Sequence, residues 1–67
     1  MAKPDLTFID HGTTWVIRPD TQAGDNWCAS KLDPDCPRLG FNYVVEHRFV
    51  RDIAAGAIED GLAAVQE

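Results

Sequence analysis

Four side chains are of the types that bind zinc: His11, Cys28, Cys36 and His47. A structural zinc site needs four nitrogen or thiolate ligands converging on a tetrahedron. Here successive ligands are separated by 17, 8 and 11 positions. No close Cys or His pair forms the clip around which such sites are built. The spacing therefore predicts no metal, with a buried thiol at Cys28 and an exposed one at Cys36. A Cys28–Cys36 bridge would close only a short loop and is the lesser alternative. Asp10-His11 and Glu46-His47 twice set a carboxylate beside an imidazole, the pairing that acid–base catalysis uses. That chemistry needs a cleft of ~300 Å³ or more, for which so short a chain has little room. No Ser-His-Asp elbow, Gly-rich phosphate loop or metal-binding helix motif is present. His11 reads as a turn residue and His47 as a strand-to-helix junction, so the expectation is a non-enzymatic chain without a cofactor.

The remaining candidates concern binding. Asp33-Pro34-Asp35 has the look of a calcium-loop fragment but lacks the spacing and terminal Glu of such a loop. With Asp20 and Asp25 it reads as a solvated region whose carboxylates favour turns. Trp15 and Trp27 are large anchors for a small chain. One is expected to fill the core. If the other is exposed it marks a partner surface, and Trp27, in the middle of a polar segment, is the candidate. Asp52 and Glu59, with Ala55 and Gly56, make a second candidate surface where small residues between acids admit a basic partner. The partner-binding set is thus Trp27, Asp52, Glu59, Asp20 and Asp25.

The chain that must position these residues has 67 residues, with 6 Lys+Arg against 11 Asp+Glu and a net charge of -5. That length allows one domain. A hydrophobic share of 45% is too high for an acidic disordered tail. No apolar run approaches the ~20 residues that span a bilayer. The start, Met1-Ala2-Lys3-Pro4-Asp5, lacks the apolar stretch of a signal peptide. Both thiols are accordingly expected to be reduced, in a cytoplasm. The acidic balance argues against direct binding to nucleic acid or to an anionic membrane. A core of this size rarely supplies more than about 3–5 kcal/mol of net stability.

Leu6–Ile9 and Thr13–Arg18 are β-favouring runs joined by an Asp10-His11-Gly12 turn, which predicts a hairpin. Within the second run Thr13, Trp15 and Ile17 point one way, and Thr14, Val16 and Arg18 the other. Pro19 stops the strand, and Asp20 or Thr21 offers a helix N-cap. Ala23, Trp27, Cys28 and Leu32 then recur near helical spacing. A third hairpin strand over Asn26–Leu32 is the alternative. Asp33–Gly40 reads as a loop and Phe41–Glu46 as a strand with Phe41, Tyr43 and Val45 on one face. Val50, Ile53, Ala54, Ala57, Ile58 and Val65 form the apolar stripe of a closing amphipathic helix, on which Arg48 and Asp52 are spaced to pair. Gly61 is a C′ candidate, and a continuation through Leu62–Val65 stays open. The predicted fold is α+β, β-β-α-β-α, a single domain with a three-stranded sheet and two helices on one face. The crossover through the first helix predicts that the second and third strands are parallel.

Two blocks carry a resemblance. The first is His11-Gly12-Thr13, Pro19, Thr21, Ala23 and Trp27. The second is Val44-Val45-Glu46-His47-Arg48-Phe49, Asp52-Ile53, Gly56-Ala57 and Asp60-Gly61-Leu62. Together they resemble the pattern of a family of small phage and proteobacterial proteins to which no activity is assigned. The resemblance covers nearly the whole chain, and neither cysteine belongs to the pattern. It implies a compact α+β fold and a mobile-element setting. With the charge, it leads to the expectation of a small acidic module that binds a host protein. Basic nucleic-acid-binding or defence proteins are the favoured targets, as for an anti-CRISPR inhibitor. A structural homodimer, an accessory subunit or an antitoxin-like binder is the alternative.

Overall fold

The computed structural model describes residues 3–67, so the reading of Met1 and Ala2 lies outside it. Seven elements follow in order: β1 (Leu6–His11), β2 (Thr14–Pro19), α1 (Gln22–Lys31), β3 (Arg38–Leu39), β4 (Asn42–Glu46), α2 (His47–Glu59) and β5 (Ala64–Gln66). The strands form one mixed sheet in the order β3-β4-β2-β1-β5. Both helices lie on one face of it, sharing a core of Leu6, Phe8, Ile17, Cys28, Tyr43 and Ala57.

The α+β class, the pairing of the first hairpin and the pair of helices on one face agree with the sequence reading, but the turn falls at Gly12-Thr13, and Asp10 and His11, expected in the turn, are in β1 opposite Trp15 and Thr14. The strand count and one strand direction do not agree with it. β4 pairs antiparallel with β2, in register Ile17↔Tyr43 and Trp15↔Val45, where a parallel pair was expected. The reason lies in Arg38-Leu39-Gly40, read above as loop. Arg38 and Leu39 are a strand that pairs antiparallel with β4 through Leu39↔Asn42. Gly40 has φ 65° and Phe41 does not share its positive φ, the signature of a two-residue type II′ hairpin turn. The crossover from β2 through α1 thus ends at β3, which does run parallel to β2. The turn folds β4 back between them.

The second departure is at the C-terminal end. Gly61 (φ 89°) is the C′ residue of α2. The Leu62 N–H donates to Ala57 O and the Gly61 N–H to Ile58 O, both closing the helix. Val65 therefore leaves the expected helical stripe and sits in β5, which runs parallel to β1 at the sheet edge. Ile58, also on that stripe, is exposed.

Period-two alternation is kept where the sheet is covered. Leu6, Phe8, Trp15, Ile17, Tyr43 and Val45 face the helices. Thr7, Ile9, Val16, Arg18 and Val44 face the other side, with Ile9, Val16 and Val44 in one row across three strands. α1 has Thr21 as its N-cap, whose hydroxyl accepts from the Gly24 N–H at 3.0 Å. Its inward residues are Gly24 and Cys28, and Ala23, expected inward, is exposed. Asp5 ties three segments together. Its carboxylate accepts from the Thr21 hydroxyl at 2.6 Å and the Ala63 N–H at 2.9 Å. Its main-chain carbonyl accepts from the Asp20 N–H.

Candidate groove beside strand 4

After α1 the chain makes a tight turn at Asp33-Pro34-Asp35-Cys36, closed by Cys36 N–H donating to Asp33 O at 2.9 Å. Proline at the second position presets φ for such a turn. The Asp33 side chain accepts from the Asp35 N–H at 2.8 Å and fixes it locally. The turn returns the chain to the outer edge of β4. There the Cys36 thiol donates to Val44 O at 3.2 Å, and Pro37 O accepts from the Val44 N–H at 2.9 Å.

Between this loop and the first turns of α2 lies a groove of about 550 Å³. Its apolar lining is Leu32, Pro37, Val44, Val45, Phe49 and Ile53. Around it stand Asp33, Asp35, Glu46 and Asp52, with Lys31, Thr14 and Cys36. A groove of this volume falls within the roughly 300–1,000 Å³ of ligand sites. The expectation that so short a chain has little room for a cleft is corrected by it. The room arises because β3 is only two residues long, and beyond it the Asp33–Pro37 loop rather than a strand runs beside β4.

The rim is electrostatically one-sided. Lys31 lies 3.9 Å from Asp60, and Arg48 pairs with Glu46 at 3.2 Å, also stacking on the Phe49 ring at 4.8 Å. The expected Arg48–Asp52 pair is therefore replaced by Arg48–Glu46. Asp33, Asp35 and Asp52 make no ion pair among the described residues.

Of the five residues expected to bind a partner, only Asp52 lines this groove. Trp27 is partly buried. Its indole N–H donates to Asp60 at 2.7 Å, and its ring lies against Gly56, so it joins α1 to the end of α2. That contact also removes Gly56 from the outer surface on which it was placed. Asp20 is held by Arg18 at 2.9 Å and accepts from the Thr7 hydroxyl. Asp25 and Glu59 are exposed at the start of α1 and the end of α2. The five therefore do not converge on one surface.

Both cysteines are free, Cys28 buried and Cys36 half-buried rather than exposed. Burial, with Asp25 adding to it, pushes the Cys28 thiol up to about 11. Burial also raises the Cys36 thiol. Among the described residues no three His, Cys, Asp or Glu side chains gather into a possible metal site. No described helix is long and apolar enough to cross a membrane.

The groove residues escape sequence reasoning because they come from four elements and a loop, none of whose patterns marks a ligand. The usable signal is Asp-Pro-Asp-Cys-Pro, a proline-stiffened loop between a helix and a strand. No family model matches the chain, nor does any curated protein or solved structure.

Proposed function

We propose that this chain is a small acidic binding module, without catalytic activity of its own, that occupies a surface of a basic host protein. The observation that carries this reading is that four of the six cations are spent within the chain, while Lys3 and Arg51 make no ion pair among the described residues. Arg18 is held by Asp20 and Glu67, Lys31 by Asp60, and Arg48 by Glu46. Arg38 stacks on Tyr43 and bonds its own hairpin. Asp25, Asp33, Asp35, Asp52 and Glu59 are left facing water without an ion pair among the described residues.

A surface so biased is steered toward positive partners, since complementary charge raises on-rate and selects among them. Proteins that bind nucleic acid carry such surfaces, and an acidic chain can compete for them with the phosphate backbone. CRISPR effectors, restriction enzymes and transcription factors fall in that class. In this reading the chain is encoded by a phage or other mobile element, as the resemblance implies, and acts in the cytoplasm of the host cell.

The test is a pull-down from host lysate with the tagged full chain, at low and high salt, read by mass spectrometry. One stoichiometric basic partner, released as salt screens the charges, is expected. A clean lane at both salts overturns the reading.

A second reading rests on the sheet face that neither helix covers. Ile9 and Val44, half-buried on either side of the already buried Val16, would meet a second copy there and complete a small core. Sedimentation showing a salt-independent dimer would favour it.

A further inference from the structure

We propose that the groove beside β4 seats an extended basic peptide segment, with an apolar side chain on the floor and Lys or Arg side chains at the rim. The inference rests on the binding-module reading and names the site and chemistry of the partner segment. Three observations carry it. The floor is apolar and open, with Phe49 43% exposed. The rim carboxylates Asp33, Asp35 and Asp52 are unneutralised among the described residues, while the nearby cations Lys31 and Arg48 are already engaged. Beyond Tyr43, where the pairing with β3 ends, the Pro37 carbonyl and the Cys36 thiol occupy the main chain of Val44, and the outer edge of β4 keeps one main-chain donor, the Glu46 N–H.

The last observation makes the segment extended. Val44 presents its N–H and C=O to that edge, where the Pro37 carbonyl and the Cys36 thiol meet them in place of a strand. Alternation sends the Glu46 N–H to the same side, while its carbonyl, at the N-cap of α2, is turned into the helix. An extended segment laid there gains one main-chain bond, from the Glu46 N–H, and its alternate side chains enter the pocket. Nucleic acid is disfavoured at a rim of carboxylates.

The probe is a fluorescein-labelled octapeptide of alternating Arg and Leu, titrated by anisotropy against the full chain. Its controls are octapeptides of alternating Arg and Ser and of alternating Glu and Leu. The Arg-Leu peptide should bind, and weaken about tenfold or more as ionic strength rises from roughly 0.05 to 0.3 M. The Arg-Ser peptide should bind about tenfold more weakly, because it leaves the floor empty. The Glu-Leu peptide should not bind. The triple substitution D33N/D35N/D52N should weaken the Arg-Leu peptide about tenfold, and F49S should weaken it without abolishing the salt dependence. Circular dichroism should show both variants folded. Peptide occupancy should also slow alkylation of Cys36.

Equal binding of the Arg-Leu and Arg-Ser peptides would mean charge alone and would overturn the inference. So would equal binding by the wild-type chain and the folded triple variant. The two readings fail separately. A lysate partner captured equally by the triple variant removes the groove from the function and leaves the module reading standing. Peptide binding beside an empty pull-down leaves the groove and removes the host-protein reading.

Discussion

The main-chain carbonyl of Asp5 occupies the space that a β-carbon at position 24 would need, so α1 can approach the start of β1 only with glycine there. The Leu6 side chain closes the same spot from the other side. The obstacle is backbone rather than the end of a flexible side chain, so it cannot swing aside. Gly24→Ala should cost about 1–3 kcal/mol or more through forced displacement, a large share of the stability of so small a domain. Ala23, its exposed neighbour, should tolerate Ser within about 0.5 kcal/mol. Urea titrations of both variants check the contrast, and equal midpoints would refute the close approach.

The Asp5 carboxylate makes the acid limb of stability. The Thr21 hydroxyl bond, followed by the Ala63 N–H bond, holds its pKa below the ordinary 3.8. A carboxylate depressed in the folded state contributes stability that is fully present above its unfolded value. That contribution is lost as pH falls through the lower folded value. Asp5→Asn should lower Tm at neutral pH and flatten the decline below about pH 4. Parallel acid limbs in the two proteins would sink the assignment.

The thiols should separate by rate and by pH. Cys36, half-buried at the groove, should be alkylated in the folded protein. Cys28, fully enclosed, should react only on unfolding. Because burial raises Cys28 from 9.0 to about 11, its neutral form contributes stability that is complete below the unfolded value. That stability is lost as pH rises through the folded value. Cys28→Ala should lower Tm by opening a cavity yet show a shallower decline between pH 9 and 11. Alkylation kinetics followed by peptide mass, with melts across that range, measure both effects.

The Trp27–Asp60 bond should be worth about 0.5–3 kcal/mol, the span from an ordinary bond to one with a charged acceptor. Trp27→Phe removes the donor while keeping most of the apolar ring against Gly56. Asp60→Asn retains an acceptor and should cost less than Trp27→Phe. Chemical denaturation of the two single variants and the double variant isolates the coupling. A coupling near zero would mean that Trp27 acts through packing alone.

What could be read from the sequence followed from how locally each signal was written. The pairing of the first hairpin, the Thr21 cap and the facing of Trp15, Ile17, Tyr43 and Val45 are set by neighbours in sequence, and all agree with the structure. The Phe41 position was misread because its aromatic ring suggests strand, whereas Gly40 before it makes the pair a turn and leaves the ring 86% exposed. One misread turn adds β3 and reverses a strand direction. β5 was hidden because Leu62-Ala63-Ala64-Val65 favours helix as readily as strand. What decides it is Gly61 together with the distant bonds that Asp5 makes to Ala63. The groove was legible only in its acids, of which Asp52 was singled out. Its volume depends on how short β3 is, a length that composition does not record.

Strand β5 gives the fold a closing step. β1 is synthesised well before β5, yet its outer edge stays bare until Ala64–Gln66 arrives, and the Asp5 carboxylate waits for Ala63, 58 positions downstream. Contacts that far apart carry a large loop-closure cost and form late. The hairpin, α1 and β4 can assemble beforehand, leaving a nascent sheet with one adhesive margin. The tail strand is thus a latch, and its docking replaces the six-residue margin of β1 with an edge strand only three residues long.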